Sequence, residues 1–209
     1  MNKKYSKKEE EFSGISDMLE GRHHVIPIMS NDDEEAAEKV DIPQILPILT
    51  LRSSVLFPGS ITPITVGREK SMKLVREVEG VGGILGAVLQ KEPEVEQPGP
   101  DDLYRIGTAA RILKVLEMPN GNLTVILHGL EKVEISEFVV SEPYFKASVA
   151  TLKDSAPDQN NIEFEALVDS IKDVALNIIN VSPQMPKEAT FAIKNIDNKR
   201  GIINFICSN

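Results

Sequence analysis

Short runs in which apolar and polar residues alternate fill the chain between residues 42 and 152. Ile61–Val66 alternates as a half-buried strand does, whereas Ile84–Leu89 is a continuous apolar run that suits a fully buried strand. Pro47 interrupts an earlier run, which favours an edge or a bend there because proline cannot donate to the strand ladder. Further strands are predicted at 45–51, 104–118, 123–128, 132–140 and 144–152.

Turn signals separate these strands, and one helix lies among them. Asn120-Gly121 between two apolar runs predicts a β-hairpin, since both central positions of such a turn need positive φ. A second turn is predicted at 57–59. Residues 68–79 are predicted to form a helix, because Met72, Val75 and Val78 recur on one face, with Leu74 beside them.

The apolar period becomes helical after residue 161. A linker is predicted at 154–158, and Pro183 and Pro186 end the first helix. Its apolar stripe is predicted to contain Phe164, Leu167, Val168, Ile171, Val174, Ala175 and Ile178. A second helical segment is predicted from about residue 187, with Phe191, Ala192, Ile196, Ile203 and Ile206 as its apolar positions.

These patterns predict an α+β protein. We expect a disordered tail at 1–41, because its mixed charges and few apolar residues bury too little surface to offset the ordering entropy. Residues 42–153 are predicted to form a mainly β, partly open barrel with one helix, since closing a sheet avoids exposed strand edges. Residues 154–209 are predicted to be the start of an α-helical subdomain.

Composition narrows the class of protein. Asp and Glu total 32 against 23 Lys and Arg, a formal net charge of −9, and the basic residues are scattered. That balance would repel a nucleic acid. The chain has one cysteine, Cys207, which suits a reducing compartment. It has no secretory signal and no apolar run long enough to cross a bilayer, so we expect a cytoplasmic protein with no membrane partner.

Motifs for catalysis or nucleotide binding are missing from this sequence. The glycine cluster at 82–86 lacks the lysine of a P-loop, and no G-x-S-x-G elbow occurs. His23-His24 has no further ligand at metal-site spacing, and Cys207 lies in an apolar stretch that favours a packed thiol. A Ser–Lys pair stays open, because its spacing in sequence is free. We otherwise expect no catalytic, cofactor or metal site in this chain.

Several segments, in order, resemble the Lon protease amino-terminal domain. The likeness extends from Ile42 onward, and Thr50 stands where the family usually has a proline. The matching segments are Leu46-Pro-Ile-Leu-Thr-Leu-Arg52, Val55-Leu-Phe-Pro-Gly59, Ile64-Thr-Val-Gly-Arg-Glu-Lys-Ser71, the stretch 98–112, Leu116-Glu-Met-Pro-Asn-Gly121 with Leu127-His-Gly-Leu130, Asn195-Ile-Asp-Asn198 and Phe205-Ile-Cys-Ser-Asn209.

The resemblance implies a PUA-like barrel followed by helices, in a region that recognises unfolded or damaged protein substrates and helps to order a homo-hexamer. It implies that the parent protein is an ATP-dependent serine endopeptidase, with ATP, magnesium and a Ser–Lys dyad in domains further along. Three alternatives stay open: a stand-alone Lon-like adaptor or ligand-binding domain, an RNA-binding PUA-like domain, against which the charge counts, and a self-contained hydrolase.

Two groups of residues are candidates for contact with a substrate or a neighbouring subunit. The apolar candidates lie at turns, where not all of them can reach the core: Leu56, Phe57, Leu116, Met118 and Pro119. Burial of such side chains on contact is what holding an unfolded chain requires, although they could instead line the barrel mouth or pack beneath the helices. The polar candidates begin the first helix and could equally form a solvated first turn: Arg68, Glu69 and Lys70.

Overall fold

The computed structural model describes residues 40–79, 83–153, 161–183, 188–196 and 198–208. Most of the predicted tail, including the two histidines, lies outside the described residues, and so does the predicted linker. Helices and strands are numbered here in chain order. The strands are β1 (Ile45–Leu51), β2 (Ile61–Val66), β3 (Ile84–Leu89), β4 (Ile106–Glu117), β5 (Leu123–Val140) and β6 (Lys146–Thr151). The helices are α1 (Glu69–Glu79), α2 (Ile162–Val181), α3 (Glu188–Asn195) and α4 (Lys199–Ser208).

Six strands form one sheet in the order β2-β5-β4-β3-β1-β6, and β5 also pairs with β6. Five of the strands therefore close a ring, and β2 lies outside it against the first half of β5. The pairing of β1 with β3 is parallel, and the other pairings are antiparallel. The predicted partly open β-barrel with one helix is confirmed.

Strand β1 shows how the sheet accommodates a proline. Its first residues pair with β6 and its last four pair with β3, so Pro47 lies where the strand exchanges one neighbour for the other. Because Pro47 does not pair with β3, the N–H that it lacks removes no hydrogen bond between β1 and β3. Ile48, the next residue, donates its backbone N–H to Phe145 at 2.8 Å.

Strand β5 corrects the sequence prediction. Two strands were expected, at 123–128 and 132–140, but a single strand of 18 residues runs through both. The pairing register with β4 shifts beside Gly129, where Ala110 faces Gly129 and Ala109 faces Glu131. This bulge bends β5, so that its first half pairs with β2 and its second half pairs with β6. The predicted gap at 129–131 is thus a bulge within one strand.

The core of the barrel has two apolar clusters. One contains the buried face of α1, including Leu74 and Val75, together with residues of β2 and of the ring strands. The other contains Leu46, Val88 and further residues that come mostly from ring strands. Because β1 and β3 contribute to both clusters, these strands are buried on both faces, which explains their nearly continuous apolar sequences.

The helical segment forms a third cluster, and only part of the predicted stripe of α2 belongs to it. Val168 and Ala175 are buried there together with Ile179, which was not in the stripe. Phe164, also of the predicted stripe, is partly buried against this cluster. Helices α3 and α4 cover that side of α2 alone, so four other large apolar residues of the stripe are exposed. The exposed members are Leu167, Ile171, Val174 and Ile178, each more than a third accessible.

The second predicted helical segment is two helices. Its chain turns between α3 and α4, where Asn198 accepts a hydrogen bond from the backbone N–H of Gly201 and so caps α4. One expectation about this segment, the packed thiol, is wrong. Phe191 is 73% exposed, and the Cys207 thiol, expected to be packed, is exposed because Ile202 and Phe205 supply the buried face of α4.

Candidate functional site

An apolar pocket of about 400 Å³ opens where β1 and β3 end and β4 begins. Its floor is apolar and buried, with Leu51, Leu56 and Ala87 among the lining residues. Its rim carries two exposed residues of the 104–107 segment, Tyr104 at 48% and Ile106 at 53%. Val55 also lines the opening and is 45% exposed.

The segment after β1 is held in place by backbone and side-chain hydrogen bonds. The buried Thr108 hydroxyl donates to the carbonyl of Leu56 at 2.6 Å. Gly59 donates its N–H to the carbonyl of Gly129 at 2.9 Å, and Gly129 donates to Ser60 at 2.9 Å. These contacts hold the segment that contains Val55 in place, so the pocket exists without a bound ligand.

One cation lies at the edge of this pocket. Arg105 lines the opening, and its guanidinium lies over the ring of Phe138, 5.7 Å from the ring centre. Phe138 in turn makes an edge-on contact with Phe145 at 5.5 Å between ring centres. Among the residues that the structure describes, Arg105 is thus held by an aromatic face and forms no ion pair with a carboxylate. The pocket can accept apolar side chains beside one fixed positive charge.

A second, more polar pocket of about 650 Å³ lies beside the start of α1. The end of β1, the loop before residue 101 and the turn between β5 and β6 complete its walls. All three polar candidates from the sequence, Arg68, Glu69 and Lys70, line it. Arg52, which the sequence analysis did not select, lines it as well.

Arg68 is held by neutral acceptors. Its guanidinium donates to Gln90 Oε1 at 2.6 Å, to the Val95 carbonyl at 3.1 Å and to Thr50 Oγ1 at 3.2 Å. The buried Gln90 side chain donates to the carbonyls of Glu92 and Val95, so the same network fixes the 92–95 loop. Burial lowers the pKa of Arg68, the charge of Arg52 lowers it further, and Glu96 acts in the opposite direction.

The other charged groups of this pocket are paired or exposed. Lys70 forms an ion pair with Glu142 across the opening, and Glu69 is exposed. Tyr144 is buried and donates its hydroxyl to Glu77 at 2.7 Å, which ties α1 to the chain just before β6. This hydrogen bond is the main cause that raises the pKa of Tyr144 to about 12, and burial adds to it.

The apolar candidates from the sequence are not brought together. Leu56 is only 2% exposed and belongs to the core, where it also forms part of the floor of the apolar pocket, so its role in substrate contact stays a prediction. Its neighbour Val55, in the same irregular segment between β1 and β2, is 45% exposed. Phe57 and Leu116 are half-buried, whereas Met118 is 43% exposed and Pro119 is exposed at the β4–β5 hairpin. None of these last four lines either pocket.

Among the pocket residues that the sequence analysis did not select are Val55, Tyr104, Arg105, Ile106 and Arg52. Val55 had a usable signal, because it is a large apolar residue two positions before the predicted turn at 57–59. The others come together only when β1, β3 and β4 meet at one end of the barrel.

Within the described parts of the chain, no cluster of three or more His, Cys, Asp or Glu side chains could hold a metal ion. The helices of those parts are all too short or too polar to cross a bilayer.

Comparison with known proteins identifies the family. The model of a family described as the ATP-dependent protease La (LON) substrate-binding domain matches residues 45–209. The chain belongs to the Lon substrate-binding domain family. This Lon domain is 49% identical to a Lon protease of Flavobacterium johnsoniae over 185 residues, which are 88% of the chain and 23% of that relative. A Lon protease of Parabacteroides distasonis is 40% identical over 188 residues, again 88% of the chain and 23% of the relative.

The fold of this Lon domain has a solved counterpart. The N-terminal domain of a Mycobacterium avium complex Lon protease superposes with a TM-score of 0.59 and 16% identity, covering 77% of the chain and 80% of that domain. The Lon domain described here thus spans about a quarter of the length of its curated relatives. The resemblance drawn from the ordered sequence segments is confirmed.

Proposed function

We propose that this Lon domain captures unfolded or damaged polypeptides through its apolar pocket and presents them to the protease of which it is a part. The observation that carries the proposal is the rim of Val55, Tyr104 and Ile106, three large apolar side chains each 45–53% exposed around an apolar floor. Exposed apolar surface around a preformed pocket is typical of a binding site.

An unfolded chain exposes apolar side chains that can pack into this pocket. Burial of apolar surface contributes roughly 25 cal/mol per Å² whatever the sequence, so such a pocket would accept many chains with modest affinity. Arg105 at the pocket edge would add a contact to a carbonyl or an acidic side chain. Several copies acting on one substrate would raise the overall affinity by avidity.

The parent protein is proposed to be an ATP-dependent serine endopeptidase of the cytoplasm that works as a homo-hexamer. ATP, magnesium and the Ser–Lys dyad would belong to the part of the protein that corresponds to the remaining three quarters of its relatives. Support comes from the family and from relatives named Lon protease. In this arrangement the domain binds protein substrates and does not itself cut them.

The experiment measures binding of the chain to a chemically unfolded protein, by cross-linking and by slowed aggregation. Val55→Ser and Ile106→Ser should each weaken binding severalfold. Matched controls are Val139→Ser and Ile45→Ser, strand residues outside both pockets that are 45% and 53% exposed, the same fractions as Val55 and Ile106. Equal loss in test and control variants would contradict a role of the pocket. No binding by the unsubstituted chain would contradict the function itself.

The hairpin residues remain candidates for a second contact. Met118 is 43% exposed at the end of β4, and a flexible, polarizable side chain suits varied partners. Met118→Ser in the same assay tests this surface separately from the pocket. A loss confined to the Val55 and Ile106 variants would leave the hairpin without a role in binding.

A further inference from the structure

Two arginines share the polar pocket beside α1, and no carboxylate among the described residues forms an ion pair with either of them. Arg52 donates from Nε to the carbonyl of Pro93 at 2.7 Å, and Arg68 is bound to the three neutral acceptors described above. The two positive charges are close enough to disfavour one another. Such a pair is stabilised by an anion placed between its members.

Both guanidinium groups keep unused donors. A guanidinium has five N–H groups, of which Arg68 uses three and Arg52 uses one in contacts with the described residues. Both arginines are anchored to the 92–95 loop, which limits their motion. A bound anion would therefore meet donors that are already held in place, and little side-chain entropy would be lost on binding.

The rest of the pocket limits the kind of anion. Glu96 lies close enough to Arg68 to influence it, and Glu69 and Glu142 also line the opening. These carboxylates would repel a polyanion and leave room for a single negative charge. The wall next to the arginines is partly apolar, with Phe145, Pro98 and Pro100. A small anion joined to an apolar group fits this combination.

We propose that the polar pocket binds the free carboxylate at the end of a polypeptide, with Arg52 and Arg68 as donors and the last side chain against Phe145. This inference rests on the proposed function, because it supplies a second point of contact for the same protein substrates. Paired hydrogen bonds from a guanidinium to a carboxylate are shorter and stronger than neutral ones. Chains with an accessible carboxyl end would be selected over blocked chains.

The experiment uses a fluorescent heptapeptide that ends in leucine with a free carboxylate, and an otherwise identical peptide that ends in a carboxamide. The free acid should bind at least about tenfold more tightly, and rising salt should reduce that preference, because the contact is ionic. Arg52→Gln should remove the preference. Arg52 is exposed at the end of β1, so this variant should fold as the unsubstituted chain does.

Arg76→Gln is the matched control. Arg76 is an exposed arginine of α1 that pairs with Glu117 and lines neither pocket, so its variant should keep the full preference. Inorganic phosphate serves as a competitor with the same charge chemistry. It should displace the free acid only at much higher concentration, and tight binding of phosphate with no preference for the peptide acid would overturn the assignment to a carboxyl end.

The outcomes separate this inference from the proposed function. Equal binding of acid and amide, or an unchanged preference in Arg52→Gln, overturns the carboxylate site even when unfolded protein still binds at the apolar pocket. A clear acid preference in a chain that fails to bind unfolded protein upholds the carboxylate site and overturns the proposed function.

Discussion

The carbonyl of Phe57 lies against the α carbon of Gly129, in the space that a side chain at position 129 would occupy. The same two segments exchange backbone hydrogen bonds between Gly59, Ser60 and Gly129. Because the obstructing atom belongs to the backbone, it cannot move aside as a flexible side chain would. A glycine at the bulge of β5 therefore allows the wall of the apolar pocket to lie close to the sheet.

Gly129→Ala should lower the free energy of unfolding by at least about 2 kcal/mol, because the added methyl group forces the 57–60 segment away from β5. Urea denaturation measures the loss. Gly99→Ala is the control, since a methyl group there meets no atom closer than 3.6 Å and the backbone is not in the left-handed region. Similar stability in the two variants would show that the close approach at Gly129 is unimportant.

The Thr108 hydroxyl stabilises the same wall from β4. Thr108→Val should cost about 1–3 kcal/mol, because the buried carbonyl of Leu56 loses its side-chain donor while the side-chain volume is kept. Thr108→Ser keeps the hydroxyl and should lose clearly less. Thermal unfolding of the three proteins checks this, and a smaller loss in Thr108→Val than in Thr108→Ser would assign the effect to packing of the methyl group rather than to the hydroxyl.

The Tyr144–Glu77 hydrogen bond gives stability a dependence on alkaline pH. The folded pKa of Tyr144 is raised to about 12 from the ordinary 10.0, so the unfolded chain releases this proton first as the pH rises. The contribution of the bond is fully present below pH 10 and disappears between pH 10 and 12.

Tyr144→Phe should therefore be less stable than the unsubstituted protein by about 1 kcal/mol near neutral pH, since the partner Glu77 is exposed to water. The difference should vanish as the pH approaches 12. Urea denaturation across this range measures it, and tyrosinate absorbance should lose its most alkaline step in the variant. A stability difference that does not change with pH would contradict the assignment.

His128 makes the free energy of unfolding depend on pH in the acidic range, where stability falls as the pH falls. Burial lowers its pKa from the ordinary 6.5, and the charge of Arg111, its cross-strand partner on β4, lowers it further. The unfolded chain therefore takes up the proton first as the pH falls. The stability contributed by neutral His128 is complete well above pH 6.5 and is lost as the pH falls through 6.5 towards the folded pKa.

Nuclear magnetic resonance titration of the imidazole tests this directly. His128 should titrate below 6.5 in the folded chain. Arg111→Gln should raise its pKa only part of the way back, because burial is the larger cause. His128→Gln should lessen the loss of stability between pH 7 and pH 5. A pKa of 6.5 or above in the folded protein would refute the expected direction.

The sequence determined the elements whose signals are local. Asn120-Gly121 located the β4–β5 hairpin, but the expectation of positive φ at both positions is wrong, because only Gly121 has it, at 83°. The turn closes instead through the N–H of Gly121, which donates to the carbonyl of Met118 at 2.9 Å. The spacing of Val75 and Val78 places the buried face of α1 correctly. Alternation identified the strands because side-chain direction follows from strand geometry alone. The ordered segments were enough to identify the family, although each was short.

Only the tertiary structure decided which residues meet at the two pockets. Arg52 and Arg68 are 16 positions apart in sequence, and they share a pocket because β1 and the start of α1 lie side by side. Leu56 and Val55 are adjacent, yet Leu56 is buried, with its carbonyl bound by Thr108 of β4, and Val55 is exposed. Long-range pairing sets these positions, and a local pattern contains no information about the partner strand.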